Sequence, residues 1–140
     1  MVKIAIRNLQ KKVSVYPQGL KKLIKMVLKE ERIKANGEIT VSFINDGLIR
    51  KLNTRYLKKD SPTDVLAFNT TGVFNKNGLY ADILVSSDTA IRNAKIFKTT
   101  PSYELKLYAI HGLLHLLGYN HNLANRKKIM HRKELKYVPA

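Results

Sequence analysis

Apolar residues recur along this chain with two periods, one near two and one near three and a half, and the switches between them mark out its elements. Val2, Ile4 and Ile6 alternate with Lys3, Ala5 and Arg7, so residues 2–7 read as a strand. Leu20, Leu23, Ile24, Val27 and Leu28 fall at helical spacing with lysines between them, which predicts an amphipathic helix over 18–31. Ile39 to Ile44 alternates again, and Asn45 or Asp46 then caps a helix carrying Leu48, Leu52 and Tyr56. Ser61-Pro62-Thr63-Asp64 reads as a turn, Val65 to Phe68 as a short strand, 69–78 as a hairpin-like loop, and Tyr80 to Val85 as a further strand. Ser86 or Ser87 opens a helix that runs to about Phe97. Thr100 with Pro101 is a cap followed by a first-turn proline, and the helix it starts reaches Leu117, where Gly118 can adopt the left-handed conformation that ends it. A last, basic helix is expected over about 122–136.

The resulting order, βαβαββααα, predicts an α+β protein: one mixed sheet of about four strands packed with helices, all within a single domain spanning 1–140. Internal repeats, low-complexity tracts and Pro/Gly/Ser linkers are absent, and 140 residues suffice for one proper core. Cysteine is absent too, which excludes a disulfide framework, a thiolate zinc site and a thiol nucleophile. The greasiest stretch, Leu105 to Tyr119, is interrupted by two histidines and is too short to span a bilayer. The opening Met-Val-Lys-Ile-Ala-Ile-Arg-Asn has no apolar export signal, so a cytoplasmic location is expected.

Charge changes the picture. The chain carries 26 Lys plus Arg against 10 Asp plus Glu, a formal net charge of +16. Residues 1–36 hold ten basic and two acidic side chains, and residues 121–140 hold six and one. A field of this size on a small domain attracts a polyanion, RNA or DNA being the commonest large one, although phosphate contacts carry no sequence specificity.

The chemistry is concentrated in one window, His111-Gly-Leu-Leu-His115-Leu-Leu-Gly118-Tyr-Asn-His121. His111 and His115 lie four apart on the predicted helix, so both imidazoles project from one face, one turn apart. Gly118 lets the chain turn back, and His121 can then supply a third ring nitrogen. Three neutral imidazoles leave a fourth position open on zinc, which is the mark of a catalytic site. Imidazoles on an otherwise apolar helix are costly unless partnered, and a metal removes that cost. His131 stands among Lys127, Lys128, Arg132 and Lys133 and reads as a surface residue with no part in the metal. The spacing resembles that of the metzincin proteases, but Gly112 stands where those enzymes carry the glutamate base of peptide hydrolysis. A metal here retains the ability to activate water or polarise a phosphoryl oxygen.

The same window is similar to the signature of the YbeY family of bacterial rRNA maturation factors, metal-dependent endoribonucleases. A second block agrees, from Leu52-Asn53-Thr-Arg55-Tyr56-Leu57-Lys58-Lys59-Asp60 through Ser-Pro62-Thr63-Asp64-Val65-Leu66-Ala-Phe68, and so does a third, Ala81-Asp82-Ile83-Leu-Val-Ser86. The resemblance covers about residues 38 to 136. It implies a cytoplasmic enzyme cutting single-stranded RNA, acting in maturation of the 16S rRNA 3′ end and in ribosome quality control. It also implies one zinc per chain on His111, His115 and His121. Ribosomal RNA and the small ribosomal subunit are the expected partners, with no membrane and no DNA specificity. Two positions depart from the family pattern. Leu57 replaces an arginine that many members carry after the tyrosine, leaving Arg55, Lys58 or Lys59 to supply RNA-contacting charge. Asn120 replaces an aspartate before the last histidine.

Around these, Thr63-Asp64 reads as a turn pair at a strand entrance, and Tyr119 as packing beside the metal helix. Asp82, in a strand where Asp is depleted, either caps a neighbouring element or sits behind a histidine. No residue is assigned as catalytic base. The readings that compete with the endoribonuclease are a non-catalytic RNA-binding ribosome-assembly factor with a structural zinc, to which Leu57 lends weight, and a zinc peptidase, against which Gly112 argues.

Overall fold

The elements form in the expected order. The computed structural model describes residues 1–57, 65–69, 78–119 and 124–139. They comprise β1 (Val2–Asn8), α1 (Pro17–Glu30), β2 (Gly37–Ile44), α2 (Asp46–Leu57), β3 (Val65–Asn69), β4 (Leu79–Ser86), α3 (Ser87–Phe97), α4 (Pro101–Leu116) and α5 (Ala124–Tyr137). The expected turn at 61–64 and most of the expected loop at 69–78 lie outside the described residues.

The sheet order is β1-β2-β4-β3, with β1, β2 and β4 mutually parallel and β3 antiparallel to β4 at the edge. The parallel pairs follow from the helices inserted between their strands, and the antiparallel pair from the short β3–β4 connection. Side-chain alternation then gives the sheet two different faces. Ile4, Ile39, Val41, Phe43, Ala81, Ile83 and Val85 join Leu20, Ile24 and Val27 of α1 and Leu105, Ala109 and Leu113 of α4 in the main core. Fully burying such side chains contributes on the order of 1.5–3 kcal/mol each. On the opposite face, Ile44, Ile49 and Leu66 form a smaller cluster with Leu52, Phe68 and Leu84, seating α2 over β3 and β4.

This alternation bears on the reading of Asp82 as a residue behind a histidine. Its neighbour Ile83 lies under α4, against Gly112, so Asp82 stands on the face away from α4, paired across the strands with Phe68. It does not sit behind His111 or His115.

Three caps act as their residue types dictate. Asn45 Oδ1 accepts the Leu48 backbone N–H at 2.9 Å, so Asn45 rather than Asp46 caps α2. Ser86 caps α3 by accepting from the Thr89 N–H at 3.1 Å, and Thr100 caps α4 by accepting from the Tyr103 N–H at 3.1 Å. Gly118 adopts φ +105° at the end of α4, a conformation that favours glycine.

Candidate metal centre

The fourth helix carries the site because it is pressed into the protein nearly all round. Leu105, Tyr108, Ala109, Ile110, Leu113 and Leu114 are buried, and so is Glu104, which accepts hydrogen bonds from Thr99 Oγ1 at 2.9 Å and Tyr108 Oη at 3.3 Å. His111 and His115 occupy the remaining, half-buried strip. Gly112 between them faces Ile83 and Val65 on the sheet. With one neighbour of His111 on the sheet, the histidine itself turns away from it, toward α5.

The two imidazoles stand edge to face with centroids 4.7 Å apart, and their Nε2 atoms are 3.1 Å from each other. Two ligands of a tetrahedral zinc at ordinary zinc–nitrogen lengths are separated by about 3.3 Å. The pair is therefore spaced as a shared metal requires. The other edge of His111 is occupied: its Nδ1 meets a carboxylate oxygen of Glu134 on α5. A carboxylate only accepts, so Nδ1 carries the proton, and in the neutral ring this leaves Nε2 its lone pair. This is the carboxylate–histidine arrangement that orients a metal-binding imidazole and raises its basicity. Two imidazoles at the right spacing, one of them oriented by a carboxylate, thus fit a metal. Two of the three expected ligands are brought together; His121 lies outside the described residues, as do Lys58, Lys59, Thr63, Asp64 and Asn120. Among the described residues no group of three potential ligands assembles.

Sequence reading missed Glu134. The last helix shows a buried stripe, Met130 and Tyr137 with Glu134 between them at helical spacing, and Glu134 is the one acidic residue among the last twenty. That singular charge in a basic helix was the available signal. His131 is 70% exposed, with Nδ1 4.0 Å from the other oxygen of Glu134, in keeping with its surface assignment.

Tyr119, just past α4, does pack against the core, and its hydroxyl donates to Glu31 at the end of α1. The same carboxylate accepts from Tyr137 Oη at 2.5 Å and Lys133 Nζ at 3.0 Å, with only 8% of the Glu31 side chain exposed. Burial works to raise its pKa, but hydrogen bonds from Tyr119, Tyr137 and Lys133 outweigh it and hold Glu31 below the ordinary carboxylate value of 4.5. Arg55 is exposed on α2, across the sheet from α4. A cavity of about 500 Å³ lined by Tyr16, Leu20, Tyr103 and Val138 opens at the opposite end of α4 from the histidines.

The chain is similar to a known protein family. The family model described as Endoribonuclease YbeY matches residues 5–139. A protein named Endoribonuclease YbeY from Syntrophus aciditrophicus is 38% identical over 136 residues, covering 94% of this chain and 84% of its own. Its namesake from Chloroherpeton thalassium is 35% identical over 123 residues, covering 88% and 84%. The solution structure of a Thermotoga maritima protein superimposes with a TM-score of 0.66 at 30% identity, covering 99% of this chain and 87% of that one.

Proposed function

Because the chain belongs to the endoribonuclease YbeY family, we propose that it is a metal-dependent endoribonuclease that cuts single-stranded RNA at one zinc held by His111, His115 and His121. Its setting in this reading is 16S rRNA 3′-end maturation and ribosome quality control in the cytoplasm, with the small ribosomal subunit as partner. The observation that carries the reading is the 3.1 Å approach of the two Nε2 atoms, with His111 held from behind by Glu134. Bound there, zinc supplies Lewis acidity to a phosphoryl oxygen and lowers the pKa of water.

The chain's own residues do the rest. Glu134 keeps the proton on His111 Nδ1 and fixes the ring plane. The half-buried position of the histidines leaves an approach for a strand of RNA, whereas a structural zinc favours four protein ligands in a closed site. The charge of +16 draws the polyanion in, and Arg55, Lys58 and Lys59 are the nearest substitutes in sequence for an arginine at Leu57. The peptidase alternative loses ground because position 112 is turned into the sheet.

The test is cleavage of single-stranded RNA and of casein by purified protein, with and without chelator, alongside the His111→Ala/His115→Ala double variant. Chelator-sensitive RNA cleavage that the double variant lacks supports the reading. Undiminished cleavage by the double variant, freed of contaminating nuclease, refutes it.

A further inference from the structure

Glu134 reaches His111 only if α5 lies at the right height and rotation along α4, and few apolar contacts enforce that. Among the described side chains of α5 the outer ones are exposed, and Met130 and Tyr137, with Val138 just past the helix, are the buried apolar anchors. One buried carboxylate supplies what those contacts lack. Glu31, the residue that follows α1, is met by Lys133 and Tyr137, which flank Glu134 on the same helix, and by Tyr119, two residues before His121.

We propose that Glu31 is a positioning residue for the metal centre: it pins the last helix and the chain leaving α4 in the one register that lets Glu134 hold His111. The proposal rests on the metal-site reading above. It follows from directionality. Apolar packing tolerates sliding by a fraction of a turn, but three donors converging on two oxygens do not. Lys133 and Tyr137 are four apart, so a single acceptor between them specifies both the rotation and the height of α5. The third donor, Tyr119, fixes the exit of α4 to the same point. Losing Glu31 would leave an ammonium and two hydroxyls without their common acceptor, and α5 would be free to settle elsewhere.

Two readouts test this on the full chain, one of which needs no metal. In metal-free protein, nitrogen NMR reports the His111 Nδ1 proton held by Glu134. A chromophoric-chelator competition reports the affinity for zinc. Glu31→Ala should lose the protected ring-proton signal and bind zinc about tenfold more weakly, the lower end of what outer-shell changes cost, with helical circular dichroism retained. Glu31→Gln, which keeps an acceptor of the same shape, should recover part of both. An unchanged His111 signal in Glu31→Ala overturns the proposal. If that variant does not fold, Tyr137→Phe and Glu31→Gln take its place, and an unchanged His111 signal in both overturns the proposal equally. Failure of the unaltered protein to take up zinc would sink the metal reading instead, while the His111 signal still decides the role of Glu31.

Discussion

Gly112 lies so close to Ile83 that a Cβ on it would stand 3.0 Å from Ile83 Cγ2, with Val65 Cγ2 at the same distance and Ala67 Cβ at 3.6 Å. The position next to the first histidine, where a metzincin protease carries its catalytic glutamate, is here a packing position between α4 and two strands. The absence of a base at this point is thus imposed by the fold as well as by the residue. Gly112→Ala should be mildly destabilising, since overpacking of about 1–3 kcal/mol is partly offset by the roughly 1 kcal/mol gained in helix propensity. Gly112→Glu should do far more harm, about 3 kcal/mol or beyond, because it buries a carboxylate against methyl groups. Urea denaturation measures both, and peptidase activity gained by the glutamate variant would contradict the geometry.

Metal content should separate the four histidines. Elemental analysis is expected to give close to one zinc per unaltered chain, the same for His131→Ala, and little for His111→Ala, His115→Ala or His121→Ala. Equal metal in the His111 and His131 variants would end the ligand assignment.

Glu134→Gln tests the partner that sequence missed. An amide retains the volume but accepts less strongly than a carboxylate, so zinc affinity should fall by roughly 10–100-fold without loss of fold. Competition titration reads this directly, and an affinity equal to that of the unaltered protein would show the contact to be incidental.

The junction of α2 and α3 should contribute to acid sensitivity, as the lowered Glu31 does elsewhere. The Asp46 carboxylate accepts from Arg92 at 2.6 Å, Ser86 Oγ at 2.6 Å and Thr89 Oγ1 at 3.1 Å, while the Asp46 N–H donates to Asp88 at 2.9 Å. Burial works to raise the Asp46 pKa, but these donors, Arg92 first, hold it below its ordinary 3.8. A depressed carboxylate stabilises the fold above its unfolded pKa and loses that contribution as pH falls through the folded value. Asp46→Asn should therefore be less stable than the unaltered protein at neutral pH, with the gap closing below pH 3.8. Thermal melts from pH 7 to pH 3 check this; a gap constant with pH would assign the effect to packing.

RNA affinity should fall steeply with salt. On single strands each neutralised phosphate contributes about 0.7 to the slope of log affinity against log salt. Filter binding across a salt series reads the slope, and tight binding that ignores ionic strength would count against electrostatic capture. Leu57→Arg should raise the cleavage rate or leave it unchanged; a fall would argue against an arginine role there.

Much of this protein was legible from its sequence because the relevant signals act within a turn or two of chain. Thr100 and Pro101 start α4, Gly118 stops it, and the four-residue spacing of His111 and His115 puts both rings on one face. The periods of two and 3.6 likewise yielded the α+β class and the order of its elements, since each strand or helix shows its apolar face locally. What only the tertiary structure decided are relations between residues far apart in sequence. The docking of α4 on the Ile83 face of the sheet left Asp82 on the face away from it. Packing between α4 and α5 brought Glu134 to His111 across 23 residues, and packing of α1 beside α4 brought Glu31 to Tyr119 across 88. No local period encodes such meetings, because they depend on how whole faces dock. One glutamate in a basic helix looks like a solvated charge until that helix is seen against its neighbour.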